Sequence, residues 1–153
     1  MFTVAFTGRR EIRDTEQVRN KIKQVLTDLK EEHEELQVIS GMAIGIDQMI
    51  AEEAIVLDIP FIAAVPFKGQ AGKWPEHVQD KYYDMIKKAA KTEYVNEPPF
   101  AVWKFHDRNK WMVNNSDLVV AFWDFVKKGG TYMTVQYTRG VKKDLEIVDL
   151  NKL

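Results

Sequence analysis

Leu36-Gln37-Val38-Ile39-Ser40-Gly41-Met42-Ala43-Ile44-Gly45-Ile46-Asp47 carries an apolar, strand-like run through two glycines into a helix-like one. A glycine lacks Cβ, so a junction of this kind lets a backbone come close to whatever lies above it. The helix that follows turns its unpaired N–H groups and the positive end of its dipole toward the same spot, where an anion such as phosphate is stabilised. The tract therefore predicts a nucleotide pocket on an α/β scaffold.

The rest of the chain repeats that alternation. Residues 3–6 are a predicted first strand, residues 7–10 a loop, and Val18, Ile22, Val25, Leu26 and Leu29 make one apolar face of a helix over about residues 15–35. A helix over 46–57 ends before Asp58-Ile59-Pro60, and the unbroken apolarity of residues 61–65 predicts a strand buried on both faces, stopped by Pro66. Residues 68–73, with two glycines, read as a flexible loop, and Pro75 suits the first position of a helix running to about residue 91. A short strand at Tyr94-Val95, a helix over 103–115, a strand over 118–123, a helix over 131–140 and a closing strand over 145–150 complete the pattern. Strands alternating with helices predict a Rossmann-like, three-layer α/β fold with a mainly parallel, twisted sheet. At 153 residues with no linker or repeat, residues 1–153 are expected to form one domain.

Composition narrows the function. Twenty-two basic and 23 acidic side chains give a net charge of -1, which provides no polycationic surface for nucleic acid. The expected partner is a small acidic ligand, which needs only a local positive spot. The absence of cysteine excludes disulfides and thiolate metal sites, and no segment reads as a signal peptide or membrane span, so a cytoplasmic protein is expected. His33, His77 and His106 show no metal-ligand spacing, and no serine sits in a nucleophile elbow. Neither metal, cofactor nor catalytic nucleophile is expected. An apolar content of 45% leaves room for a homo-oligomer without identifying its face.

The glycine-bearing junctions share one geometry. Gly8, the Gly41 and Gly45 pair, the stretch from Pro66 and Phe67 to Gly69, and Gly129-Gly130-Thr131 each follow the carboxyl end of a predicted strand. In an open parallel sheet those ends form one edge, and ligands bind where the strand order reverses. Arg9 and Arg10 beside Gly8 are the best phosphate or carboxylate ligands, Arg9 ahead of Arg10, for which a plain surface role competes. Asp47 reads as a helix cap or a ligand contact, Asp124 as a ribose acceptor or the start of a turn. Arg108 and Asn109 read as half ligand contact, half structural bridge. Gln70 and Trp74 are placed to close over a base, with a surface staple as the competing role for Trp74. Trp103, Phe105, Arg108, Lys110 and Trp111 imitate a stacking platform for single strands, but core packing explains some of these aromatics better.

These residues also carry a resemblance. Ser40-Gly41-x-Ala43-x-Gly45-Ile46-Asp47, Arg108-Asn109, residues 116–120 and Gly129-Gly130-Thr131, in that order, resemble the motifs of the SLOG superfamily, which joins the Smf/DprA proteins to the LOG, lysine-decarboxylase-like proteins. Pro66-Phe67-x-x-Gln70-x-x-x-Trp74-Pro75, with Tyr82 beyond, is similar to a small stand-alone branch found in bacilli and their phages. The resemblance implies a Rossmann-like fold and a pocket for a nucleotide or nucleotide-derived ligand, with Ser40 and Met42 part of the cradle. It also implies that a LOG-like nucleotide N-glycosidase would need a glutamate after the double-glycine turn. Residues 129–141 contain no carboxylate, so binding without turnover, possible for an ADP-ribose relative, is expected ahead of hydrolysis. DprA relatives bind single-stranded DNA and usually carry further domains.

Overall fold

The computed structural model describes residues 1–12 and 15–153. Its elements run β1 (Phe2–Gly8), α1 (Glu16–Glu32), β2 (Leu36–Ser40), α2 (Ile46–Val56), β3 (Phe61–Phe67), α3 (Glu76–Lys88), β4 (Lys91–Asn96), α4 (Val102–Asn114), β5 (Leu118–Trp123), α5 (Gly130–Gly140) and β6 (Asp144–Asp149), with a 3-10 turn over Leu150–Lys152. The six strands form one sheet in the order β4-β3-β2-β1-β5-β6, and every pair is parallel. The α/β, Rossmann-like class read from the sequence is the class observed.

Handedness decides the layering. Parallel crossovers are right-handed, so α1, α2 and α3 lie on one face while the chain steps outward from β1 to β4. The return to β5 on the other side of β1 reverses the direction and puts α4 and α5 on the opposite face. Two clusters of buried side chains record this. Val18, Met49 and Tyr82 from the first three helices pack on Val4, Phe6, Val38, Phe61 and Val120, whereas Met112 and Val113 of α4 pack on Ala5, Ile39, Ala64 and Val119. Alternate residues of each central strand thus serve opposite layers, which is why these strands lack a polar face. Phe6, Phe61 and Phe122 are fully buried, each contributing about 1.5–3 kcal/mol by the area it removes from water.

Element ends follow local chemistry. Thr15 caps α1 by accepting from the Val18 amide at 3.2 Å. The helix stops at Glu32, three residues short of the predicted end, where His33 turns extended and stacks on Phe2 with ring centroids 3.8 Å apart. Pro66 does not stop β3. The strand continues to Phe67, because pairing with β2 ends at Ser40–Ala63 while pairing with β4 runs to Phe67–Asn96, so a residue without an N–H is tolerated beyond the β2 ladder. Pro75 precedes α3 as its cap, and α3 ends at Lys88 because the Ala90 amide donates to Phe61 O and delivers residues 91–93 to β4. That edge strand is longer than the two residues predicted, its mixed polarity reflecting its position at the sheet margin. Among the described residues no helix is long and apolar enough to cross a membrane.

Candidate functional site

The strand order reverses between β1 and β5, and a cavity of about 560 Å³ opens there at the carboxyl edge of the sheet. The loop after β1 supplies Gly8, Arg9, Arg10 and Glu11. Ala43 and Asp47 come from the junction between β2 and α2, and Phe100, Val102, Phe105, His106, Arg108 and Asn109 from α4 and the segment before it. The loop after β5 closes the far wall with Trp123, Asp124, Val126, Lys128, Gly129, Gly130 and Thr131.

The glycines separate into two kinds. A Cβ on Gly45 would lie 2.4 Å from Arg9 O, one on Gly41 2.8 Å from Asp47 Oδ2, and one on Gly8 2.5 Å from Ile46 Cγ2. These three let protein approach protein. Gly129, by contrast, has nothing within 4 Å of where its Cβ would be, and Gly130 only Asn109 Nδ2 at 3.8 Å. The same division holds for the helix ends. At α2 the Ile46 amide donates to Arg9 O at 3.2 Å, and the Ala43 amide before it donates to Asp47 Oδ2 at 3.4 Å, so this end is closed by the chain itself. No side chain caps α5, whose first residues Gly130 and Thr131 line the cavity. The helix end open to an anion is therefore the one after Gly129, not the one after Gly45.

Ser40 and Met42 are fully buried. The Ser40 hydroxyl donates to Asp47 O at 2.7 Å and accepts from the Met42 amide at 3.2 Å, while the Met42 side chain packs in the core. Pro66, Phe67, Gln70 and Trp74 also lie outside the cavity lining. Gln70 donates to Gly41 O at 3.2 Å and accepts from the Tyr82 hydroxyl at 3.1 Å, and Trp74 sets its ring edge-on to Tyr82. The predicted loop over 68–73 is a run of turns in which Gln70 and Ala71 are buried, so Gln70 braces the glycine tract from behind. Burial pushes the Tyr82 phenol well above its ordinary range.

Five charged side chains define the electrostatics. Arg9 donates to Asp124, which also accepts from the Val126 amide at 3.0 Å. Burial is the largest single influence on the Asp124 carboxyl and raises it, but the Val126 amide and the Arg9 guanidinium together outweigh it and hold the group below the usual range. Asp124 is thus both the start of a turn and the partner of Arg9. Arg10 forms no ion pair among the described residues, and its guanidinium lies over the Phe105 ring, 5.1 Å from the centroid. Of the two arginines, Arg9 is engaged by a carboxylate and Arg10, among the described residues, is not.

Arg108 is buried, donating through Nη1 to Gly41 O at 2.6 Å and Ala64 O at 3.1 Å and through Nε to Asn109 Oδ1 at 2.9 Å. Its bridging role dominates, and burial lowers its pKa to about 10 against the favourable field of Asp47. Burial pushes the Asp47 carboxyl up to about 6, against the pull of Arg108, the Ala43 amide and Arg10.

Missed by the sequence reading were Thr7, Glu11, Ala43, Phe100, Val102, Phe105, His106, Trp123, Val126 and Lys128 as cavity residues. Phe105 had been weighed only as a stacking or core residue. The signal for several of them was present: the segment after β4 also follows the carboxyl end of a strand. Among the aromatics expected in the core, Trp103 is 57% exposed, whereas Phe105 and Trp111 are half-buried.

The model of the YspA SLOG family matches residues 9–153. The chain belongs to that family. A curated relative, a UPF0398 protein of Brevibacillus brevis, is 26% identical over 118 residues, covering 73% of this chain and 62% of its own. A UPF0398 protein of Staphylococcus aureus is 29% identical over 113 residues, covering 70% of this chain and 58% of its own. The chain thus spans about three-fifths of the length of these relatives. DNA processing protein A from Helicobacter pylori, described for its single-stranded DNA binding mode, superposes with a TM-score of 0.71 at 22% identity, over 98% of this chain and 67% of its own. The Streptococcus pneumoniae protein of the same name gives 0.69 at 21%, over 95% and 50%. At these identities the likeness is one of fold.

Proposed function

We propose that this family member binds a nucleotide or nucleotide-derived ligand, of the ADP-ribose class, at the carboxyl edge of its sheet, and senses or sequesters it without cleaving it. The observation that carries the reading is the pairing of an uncapped α5 N-terminus with an unpaired Arg10 in one cavity of about 560 Å³. Both favour an anion, and Lys128 adds a third positive group. Phe100 and Phe105, which pack edge to face 5.8 Å apart, give the same cavity an aromatic wall suited to a base. Turnover is disfavoured by the absence of any carboxylate in residues 129–141 and by the engagement of Asp124 with Arg9. The test is a panel of nucleoside monophosphates, NAD, ADP-ribose and cyclic nucleotides, read by thermal shift and by chromatography of products. Stabilisation with the ligand intact supports the reading. Released base would make the protein a nucleotide N-glycosidase.

One observation favours a second reading. Phe100 of the cavity lining and Trp103 beside it in sequence are 60% and 57% exposed, and Lys73 lies 5.9 Å from the first ring, whereas the Lys104 ammonium near the second is buried and donates to Glu97 O and Pro99 O. Exposed rings with a cation over one of them suit stacked single strands, the ligand for which the Helicobacter pylori protein is described. A strong, salt-sensitive affinity for single-stranded DNA would establish it.

A further inference from the structure

Asp47 is the one acidic group of the cavity that sits on its floor, in the first turn of α2, 9% exposed and without an ion pair among the described residues. Its Oδ2 receives the Ala43 amide at 3.4 Å. The Arg108 guanidinium, which lies with the Asp47 carboxyl on the same side of Gly41, is engaged by Gly41 O, Ala64 O and Asn109 and forms no ion pair with Asp47, so it acts on it through its field. Arg10, which forms no ion pair among the described residues, lines the same cavity, and its Cα lies 2.8 Å from where a Cβ on Gly45, two residues before Asp47, would be, so its charge is also felt at Asp47. An anion drawn to Arg10 therefore comes to rest near a buried carboxylate. Two negative groups in a poorly solvated site repel, and the anion also cancels the field of Arg10 that favoured ionisation, so the carboxyl gains a proton.

We propose that Asp47 meets the ligand as a carboxylic acid and donates a hydrogen bond to it, so that ligand and proton enter the cavity together. The inference rests on the nucleotide reading of the same cavity and adds the protonation state in which that ligand is held. The other groups around Asp47 act in known directions. Arg108 of α4 and Arg10 of the loop after β1 oppose proton uptake. The cavity wall also carries the acidic groups Glu11 and Asp124, the latter paired with Arg9. His106 of α4 lines the same cavity and needs its own control, and Tyr82 of α3 stands behind Arg108.

The test is calorimetric titration with ADP-ribose, chosen over a phosphate monoester because the latter itself titrates at about pH 6. For the wild-type protein, affinity should fall by about tenfold per pH unit above about 6, and repeating the titration in buffers of different ionisation enthalpy should show uptake of about one proton. D47N, a neutral isostere that still offers an amide donor, should bind with no such slope, and H106N should keep it. A flat profile with no proton uptake in the wild type, or an unchanged slope in D47N, overturns the inference while leaving the nucleotide reading intact. Should D47N fail to fold, the wild-type proton count decides alone. Absence of ADP-ribose binding by all three proteins at every pH overturns the ADP-ribose reading itself, and this inference with it.

Discussion

Arg9 donates to Asp124 across 115 positions of sequence, tying the loop after β1 to the loop after β5 at the point where the strand order reverses. Asp124 is held independently of this pair: the Val126 amide donates to its carboxylate, and Asn151 Nδ2 donates to its carbonyl at 2.9 Å. Arg9 is therefore the member that moves if the pair opens, while Arg10 beside it needs no such release.

The two arginines should separate in a binding measurement. Arg10→Ala removes an unpaired guanidinium and is expected to cost about 1.5–3 kcal/mol of affinity for the anionic ligand, the range of a charge-assisted hydrogen bond. Arg9→Ala should cost less, because its guanidinium already serves Asp124. Isothermal titration of both variants with the ligand found by the panel checks the order, and a larger loss at Arg9 would refute it.

Gly45 and Gly129 both hold positive φ, at 98° and 93°, yet differ in surroundings. Gly45→Ala combines backbone strain with a clash against two carbonyl oxygens and should lower stability by roughly 2–4 kcal/mol. Gly129→Ala meets no neighbour and should cost only about 1–2 kcal/mol, the strain alone. Chemical denaturation of the two variants gives the comparison. Equal losses would mean that the open space at Gly129 is not there in solution.

Arg108→Met keeps most of the length and removes the charge. Gly41 O and Ala64 O lose a buried donor, and Asp47 loses the largest field that favours its ionised form. The expected loss is about 3–5 kcal/mol at neutral pH, shrinking under acid conditions where Asp47 is neutral. Thermal melts at two pH values would reveal it.

Asp47 also predicts a pH dependence of stability in the free protein. Its pKa is raised from 3.8 to about 6 on folding, so between those values the folded state holds more protons than the unfolded state. Stability therefore falls as pH rises through that window, and the whole penalty is present above it. At about 1.4 kcal/mol per unit the loss is roughly 3 kcal/mol, absent from Asp47→Asn. The difference in unfolding free energy between wild type and variant should thus shift by that amount between about pH 4 and about pH 7, and a constant difference would contradict the buried placement of the carboxyl.

The sheet was legible because residues 61–65 and 118–123 are unbroken apolar runs and β1 and β2 are largely apolar, and Val4, Ile39, Ala63 and Val120 need no context to be read as buried. Edges were less so. β4 carries Lys91, Glu93 and Asn96 at a margin where one side of the strand meets no neighbour, and its polarity hid all but Tyr94-Val95. The location of the site was legible from where glycines fall after strands. What approaches each glycine was not: Gly45 and Gly129 look alike in sequence, and only packing shows that one touches Arg9 O while the other faces open space. Gln70 and Trp74 were read as loop residues because turn chemistry surrounds them, yet Tyr82, twelve residues beyond Gln70, draws both inward. Phe100, and His106 as a cavity residue, went unrecognised because the segment between β4 and α4 contains no glycine.

β1 stands in the middle of the sheet although it precedes every other strand in the chain, and its two edges are filled at very different times during synthesis. Leu36 emerges from the ribosome 34 residues after Phe2, and Leu118 follows Val4 by 114. One edge of β1 can therefore pair early, while the other stays bare until residues 118–123 have been made. Because the cavity lies between β1 and β5, a nascent chain has no cavity there until that pairing forms, and a stalled or truncated product ending before β5 would present an uncovered strand edge to chaperones and proteases.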